Sequence, residues 1–446
     1  MFTFYLRTYG CQMNERDSEA LSCLLSAHGH QEVEEESAAD LLLFNTCSVR
    51  EQPELKVLGK IGLLKRAKRG RPELKIGLIG CMGQRLGAEL FALLPHLDFV
   101  VGSDQLREIP GILERIAAGE RHIAVTALGG DDFMRLSEHK GADLCSYISI
   151  IQGCNQFCSY CIVPHTRGRE RSRDMADIVR EVKQQVERGS REILLLGQNI
   201  TAYGIAEAKR AGHYDPEASY LAELLARLEE IEGLWRIRFT SPHVRYMNDK
   251  FIQAICGLSK VCKAFHIPVQ SGSNRILKAM NRGYTLEEYV HRVRQIKSLA
   301  SEAQFSTDII VGFPGETVAE FEQTLELMRE IKYDMAYIFR YSTRSGTKAA
   351  ENMRDDVSEE EKKRRNQVLL EELNQTVEKR NQAYIGQSLE VLVEGQSKRN
   401  EERWTGRSQL NKVVNFPWVE SLNIGELRQV KILRSSANSL YGEIVE

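Results

Sequence analysis

Ten cysteines occur in this chain of 446 residues, and three of them, Cys154, Cys158 and Cys161, stand at C-x3-C-x2-C spacing. Closely spaced thiolates are the usual grip on zinc or on an iron–sulfur cluster. Zinc asks for a second matching pair, and none follows Cys158-x2-Cys161 at workable spacing. A disulfide is out of keeping with a chain whose start, Met1-Phe2-Thr3-Phe4-Tyr5, lacks a secretory pattern. The ferredoxin spacings C-x2-C-x2-C and C-x4-C-x2-C do not match either. Three thiolates on a four-iron cluster leave one iron open to chemistry, where a fourth would make a plain electron carrier. The trio follows Tyr147-Ile148-Ser149-Ile150-Ile151, an apolar run that reads as a buried strand. The cysteines therefore fall on the loop leaving that strand's C-terminal end.

A second trio is spread along the first third of the chain. Apolar runs at 3–8, 40–45 and 75–79 end just before Cys11, Cys47 and Cys81, which are roughly 35 residues apart. Helical patterns follow them, at 14–27 with Leu21, Leu24 and Leu25 on one face, at 52–69, and from about 86. A fourth short run covers 98–101. This rhythm predicts a parallel, doubly wound sheet of flavodoxin-like type, whose strand C-termini share one rim where ligands bind. Three thiols at equivalent places on that rim read as a second ligand set. A single buried cysteine beside a tight turn is the plainer reading, and it suits Cys23, in mid-helix. The basic run 65–71 reads as a solvated helix face.

From Tyr147 onward, six strand-like runs (147–152, 192–197, 235–240, 264–269, 305–312 and 335–341) alternate with helices, the clearest at 174–188 and 317–331. Six βα units make a partial (β/α)6 barrel, too short to close as eight strands and open to a large substrate. Polar groups at the strand ends, Gln198, Asn199, Gln270, Ser271 and Asp308, outline a cofactor pocket. Arg167, Arg169, Arg171 and Arg173 alternate along the chain after the cysteine loop. Contact with an RNA backbone, substrate positioning and internal salt bridges all suit them. Residues 111–146, with Gly129-Gly130-Asp131-Asp132, read as a linker.

A charged helix over 358–384 leads into short runs with a period of two at 389–393, 413–416, 430–433 and 440–445, the pattern of a small OB-like β-barrel. Arg407 and Lys412, with Trp404, Asn411 and Phe416, form its expected RNA face. The 60 basic and 62 acidic residues leave the whole chain near neutral, so nucleic-acid binding must come from local patches. No apolar run reaches the ~18 residues of a membrane span, and the expected location is the cytoplasm.

The C-x3-C-x2-C spacing with Tyr160 before its last cysteine resembles the radical S-adenosylmethionine (SAM) superfamily signature. In that superfamily SAM chelates the open iron and the aromatic lies near its adenine. Taken with Thr8-Tyr9-Gly10-Cys11-Gln12-Met13-Asn14, Asn45-Thr46-Cys47-Ser48-Val49-Arg50-Glu51, Gly80-Cys81-Met82-Gly83-Gln84-Arg85 and Gly168-Arg169-Glu170-Arg171-Ser172-Arg173, the chain resembles the radical SAM methylthiotransferases along its length. Within them it is most similar to the branch that modifies isopentenyladenosine in tRNA. Thr240-Ser241-Pro242-His243 departs from the family, which more often reads Thr-Ser-His-Pro.

The resemblance implies three domains: an auxiliary-cluster domain over 1–120, a radical SAM core over 140–375 and a TRAM domain over 383–446. It implies two [4Fe–4S] clusters, one on Cys11, Cys47 and Cys81, the other on Cys154, Cys158 and Cys161. SAM is the implied cofactor, with Tyr160, Gln198, Asn199, Gln270, Ser271 and Asp308 around it. A tRNA anticodon loop is the implied partner, met by Arg167, Arg169, Arg171, Arg407 and Lys412. An electron donor such as flavodoxin and a source of sulfur are implied as well. The sister activities act on N6-threonylcarbamoyladenosine in tRNA or on a ribosomal-protein aspartate; an RNA-binding iron–sulfur protein without turnover is the non-enzymatic alternative.

Overall fold

The computed structural model describes residues 1–48, 51–129, 138–141, 143–398 and 400–445, with the backbone alone for 51–53. Val49, Arg50 and the Gly130-Asp131-Asp132 part of the expected linker lie outside the described residues.

The first unit is a six-stranded parallel sheet of order β2-β1-β3-β4-β5-β6. Its strands are β1 (Thr3–Tyr9), β2 (Gln31–Glu32), β3 (Leu41–Thr46), β4 (Lys75–Gly80), β5 (Phe99–Val101) and β6 (Ile123–Val125). Leu41, Leu42, Leu43 and Phe44 alternate between two apolar cores, one on each face, as a doubly wound sheet requires. The flavodoxin-like expectation is met, with one correction. Most of the helix Ile109–Ala117 and all of strand β6 fall inside the stretch read as linker. Val125 therefore still belongs to the first sheet, five residues beyond the expected boundary at 120. Polar neighbours hid a three-residue strand that is stabilised by pairing with β5 and by Ile123 and Val125 packing on the sheet's core.

Six strands of the middle unit form two three-stranded parallel sets, β11-β10-β7 and β12-β13-β14. They are β7 (Cys145–Ser149), β10 (Glu192–Leu196), β11 (Arg236–Phe239), β12 (Ala264–His266), β13 (Gln304–Val311) and β14 (Met335–Arg340). A parallel bridge between Ile237 and Val261 carries the curve across the gap. The hairpin of β8 (Ile151–Gln152) and β9 (Arg171–Ser172) brackets the cysteine loop. One large apolar core fills the space between this open barrel and its helices.

The long helix Glu359–Gln382 leads to a closed five-stranded barrel of order β15-β16-β17-β19-β18. Strands β15 (Ser388–Ser397), β17 (Val413–Pro417), β18 (Leu427–Ser435) and β19 (Leu440–Val445) match the apolar runs, whereas β16 (Asn400–Ser408) was not anticipated. Its sequence, Asn-Glu-Glu-Arg-Trp-Thr-Gly-Arg-Ser, is too polar to read as a strand, and only pairing on both edges makes it one. Among the described residues no helix is long and apolar enough to cross a membrane.

Candidate active site

Strand register brings the first three thiols together. Tyr9 pairs with Thr46 and Thr46 with Gly80, so β1, β3 and β4 end on one line, each within two residues of its cysteine. The Cys47 amide donates to the Tyr9 carbonyl at 3.0 Å. Gly80 has φ +89, and a Cβ there would collide with Asn45 and the Thr46 carbonyl. Only glycine lets β4 turn this tightly into the helix Cys81–Leu86. A hydrogen bond with Cys47 pulls the Cys11 thiol down to about 6, and the nearby Arg167 guanidinium assists.

Arg167 comes from the other unit, just past the cysteine loop. It is buried, donates from Nε to Cys81 Sγ at 3.3 Å, and pairs with Asp17 at 2.6 Å. The rim of the sheet and the mouth of the barrel therefore meet at this guanidinium. The contact is reinforced where the Ser103 hydroxyl donates to the Thr166 carbonyl at 2.6 Å.

The loop carrying Cys154, Cys158 and Cys161 is braced on every side. Gly153, at φ +81, runs so close to the Arg169 carbonyl that no Cβ fits. Its amide donates to Gln198 Oε1 at 2.6 Å, and the Cys154 amide to the Gly168 carbonyl at 3.1 Å. Glu170 accepts from the Asn155 amide at 3.1 Å and from the side chains of Asn155 and Asn199 at 3.2 and 3.1 Å. Burial pushes the Cys161 thiol up to about 12, with the neighbouring Cys158 adding to the rise. Cys154 is raised for the same first reason. Arg282, also buried, donates to Cys158 Sγ at 3.4 Å, to Tyr160 and Tyr284, and to the Pro268 carbonyl.

Three thiols that repel one another's ionised forms, beside a buried guanidinium, fit a centre that brings its own positive charge and deprotonates them on binding. Among the described residues no three metal-ligating side chains stand at the spacing of a single metal ion. A four-iron cluster does not ask for that spacing, because each thiolate takes a different iron.

The expected cofactor-pocket residues divide. Gln198 and Asn199 brace the cysteine loop as described. Tyr160 packs with Ile276, Met280, Phe313 and Tyr341 while its hydroxyl meets Arg282. Gln270 sits at φ +77 and bridges to Ile309. Asp308 is partly exposed and 3.4 Å from His266. Ser271 is fully buried, and its hydroxyl accepts from the Ser273 amide within the turn that follows Gln270. His243 is buried against Tyr246 and Tyr284 with no hydrogen-bond partner for either ring nitrogen among the described residues. Burial, then the charges of Arg282 and Arg245, keeps it neutral.

Several expected RNA contacts are internal. Arg167 is consumed by Asp17 and Cys81. Arg171 pairs with Asp104 at 2.7 Å, and Arg173 with Glu181 at 2.5 Å. Of the four arginines only Arg169 lacks such a carboxylate among the described residues, stacking instead over the Phe157 ring. Lys412 is buried and bonded to Asp334 at 3.0 Å; Arg407 is held by Glu394, and Trp404 and Phe416 lie in the barrel core. Alternation along a strand decides this: Trp404 and Phe416 are cross-strand partners facing inward. Sequence reasoning missed Glu170, Arg282 and Asp17. Glu170 lay in a quoted motif, whereas the other two carry no local signal.

The radical SAM superfamily profile matches residues 148–328, that of the uncharacterized protein family UPF0004 residues 3–102, and the TRAM domain residues 382–445. The chain is 43% identical to the tRNA-2-methylthio-N(6)-dimethylallyladenosine synthase of Opitutus terrae, over 99% of this chain and 97% of that one. It is 45% identical to the protein of that name from Carboxydothermus hydrogenoformans, over 99% of each. Among solved structures, the radical SAM methyltransferase TsrM of Kitasatospora setae aligns at a TM-score of 0.53 and 12% identity, over 76% of this chain and 72% of that one. That likeness concerns the fold alone. Identity above 40% across the whole length places the chain in the tRNA-2-methylthio-N(6)-dimethylallyladenosine synthase family of radical SAM enzymes.

Proposed function

We propose that the chain transfers a methylthio group to C2 of N6-isopentenyladenosine at position 37 of tRNA, in the cytoplasm, using two SAM molecules and two [4Fe–4S] clusters. Cys154, Cys158 and Cys161 would hold the radical SAM cluster, and Cys11, Cys47 and Cys81 the auxiliary one. The domains are 1–120, extended to Val125, then 140–375 and 383–446. When bound, these groups supply the one-electron and methyl-transfer chemistry that an inert aromatic C2–H bond demands.

The chain's own part is placement. Glu170, Gln198 and Asn199 fix the cysteine loop, and Arg167 ties the sheet rim to the barrel mouth. Arg169, beside Phe157 at that mouth, is the arginine left to meet phosphate. A tRNA loop offers its bases splayed from the stack, so a site at an open barrel mouth can receive one. A flavodoxin-like donor and a separate sulfur source complete the reaction.

The observation that supports this reading is Arg167: one buried guanidinium, six residues past Cys161 in the barrel unit, donates to Cys81 of the sheet unit. Iron analysis of reconstituted protein tests it. About eight irons per chain are expected, and Cys→Ala replacement of either trio should halve that number. Loss of the barrel trio should abolish SAM cleavage, while loss of the rim trio should leave cleavage detectable; equal loss in both would refute the assignment. Unchanged 2-methylthio-isopentenyladenosine in tRNA from a deletion strain would refute the substrate.

A further inference from the structure

Each thiol trio has one buried guanidinium against one of its sulfurs, but the two cations are not equivalent. Arg167, 3.3 Å from Cys81 Sγ, has the Asp17 carboxylate at 2.6 Å, so its charge is offset where it stands. Arg282, 3.4 Å from Cys158 Sγ, is surrounded by neutral acceptors: the hydroxyls of Tyr160 and Tyr284 and the Pro268 carbonyl. Among the described residues no carboxylate pairs with it. A buried, unpaired cation is costly to keep, and it persists where an anion occupies the adjoining site. Burial pushes the ionisation of both phenols up, so among the described residues the group beside Arg282 best suited to become that anion is Cys158, with its trio.

Potentials of iron–sulfur centres follow net charge and hydrogen bonds to the sulfurs, and groups behind the ligands do much of the tuning. Reduction adds one negative charge to the centre. A fixed cation that donates to a ligand sulfur favours the reduced form and raises the potential. A cation already neutralised by a carboxylate does so far less. Arg282 is held by several acceptors and Arg167 is buried between Cys81 and Asp17, so both cations are fixed in place.

We infer that Arg282 sets the potential of the centre on Cys154, Cys158 and Cys161, and that Asp17 shields the centre on Cys11, Cys47 and Cys81 from the same push by Arg167. The consequence is directional: an incoming electron is drawn toward the barrel centre and away from the rim centre. This rests on the cysteine assignment proposed above. Arg282 and Asp17 are positioning residues, acting on the centres through the ligand sulfurs and not on substrate.

The test is a redox titration of the reconstituted full-length chain, without SAM or tRNA, following both centres by electron paramagnetic resonance and counting iron in each sample. Arg282→Met should lower the midpoint of the barrel centre alone, and Arg282→Lys should lie between Met and wild type. Asp17→Asn should raise the midpoint of the rim centre alone. An iron-replete Arg282→Met with an unmoved midpoint, a shift shared by both centres, or a Lys variant displaced as far as Met would overturn the inference. If the Met variant loads no barrel iron, Arg282→Lys and Asp17→Asn decide: an unmoved rim midpoint in the Asn variant overturns it. A wild-type chain that takes up no iron at one of the trios would instead refute the cysteine assignment, before any potential is measured.

Discussion

Glu170 shows how much of the site depends on acceptors placed among donors. Its carboxylate faces the Asn155 amide and the side-chain amides of Asn155 and Asn199. Burial lifts its pKa above the usual carboxylate range, and these donors pull the other way. Glu170→Gln would turn an N–H toward an N–H. An unsatisfied buried polar group costs about 1–3 kcal/mol, and residues behind metal ligands typically change metal affinity or activity by about 10- to 100-fold. The expected outcome is faster loss of half the iron to a chelator, with the rim centre retained; equal resistance to wild type would contradict it. The cysteines themselves were legible because their spacing is a chemical statement. Arg282 was not, because a lone arginine after a helix acquires meaning only when Cys158, 124 residues earlier in the chain, packs against it.

Strands β1, β3 and β4 were legible as apolar runs, and so was the rim they share. Register was the part a sequence cannot state: Tyr9, Thr46 and Gly80 align only after the sheet has formed. Strand β16 escaped notice because its inward positions, Trp404, Gly406 and Ser408, are too mixed to signal a strand. Strand β11 has a role of its own, since two of its residues hold the terminal barrel. Arg236 donates to the Arg407 carbonyl at 2.6 Å and to Glu390, and Arg238 donates to the carbonyls of Ser408 and Gln409 at 2.9 and 3.1 Å. Removing both arginines (Arg236→Ala with Arg238→Ala) should leave both folds intact but loosen the barrel, which Lys412 still ties to Asp334. Limited proteolysis near 383–388 should then accelerate several-fold, while iron content stays unchanged; wild-type cleavage rates would refute this docking role.

Across the whole molecule, several contacts between the first two units are ionic, and one of them is built to respond to pH. His139 lies buried between Glu19 of the sheet unit, at 3.1 Å, and Glu181 of the barrel unit, at 2.8 Å. Arg16 and Arg173 face the same carboxylates. Burial is the largest influence on His139 and would lower its pKa, but the hydrogen bonds its imidazolium donates to both glutamates carry it above the usual value. A raised folded-state pKa gives stability that is complete below the unfolded value of ~6.5 and fades as pH rises through the folded value. Wild type should therefore melt on the order of 2 °C above His139→Gln in mildly acidic buffer, and the gap should close in alkaline buffer. A gap independent of pH would show that the imidazole acts by shape alone. The terminal barrel is attached by a different rule. Most of what Arg236 and Arg238 grasp is main-chain oxygen, which every sequence presents alike. Apart from Glu390 and Lys412, whose side chains meet Arg236 and Asp334, its outward side chains can vary without disturbing these bonds, so descendants of this enzyme can revise how they read an RNA while keeping the reader attached beside the chemistry.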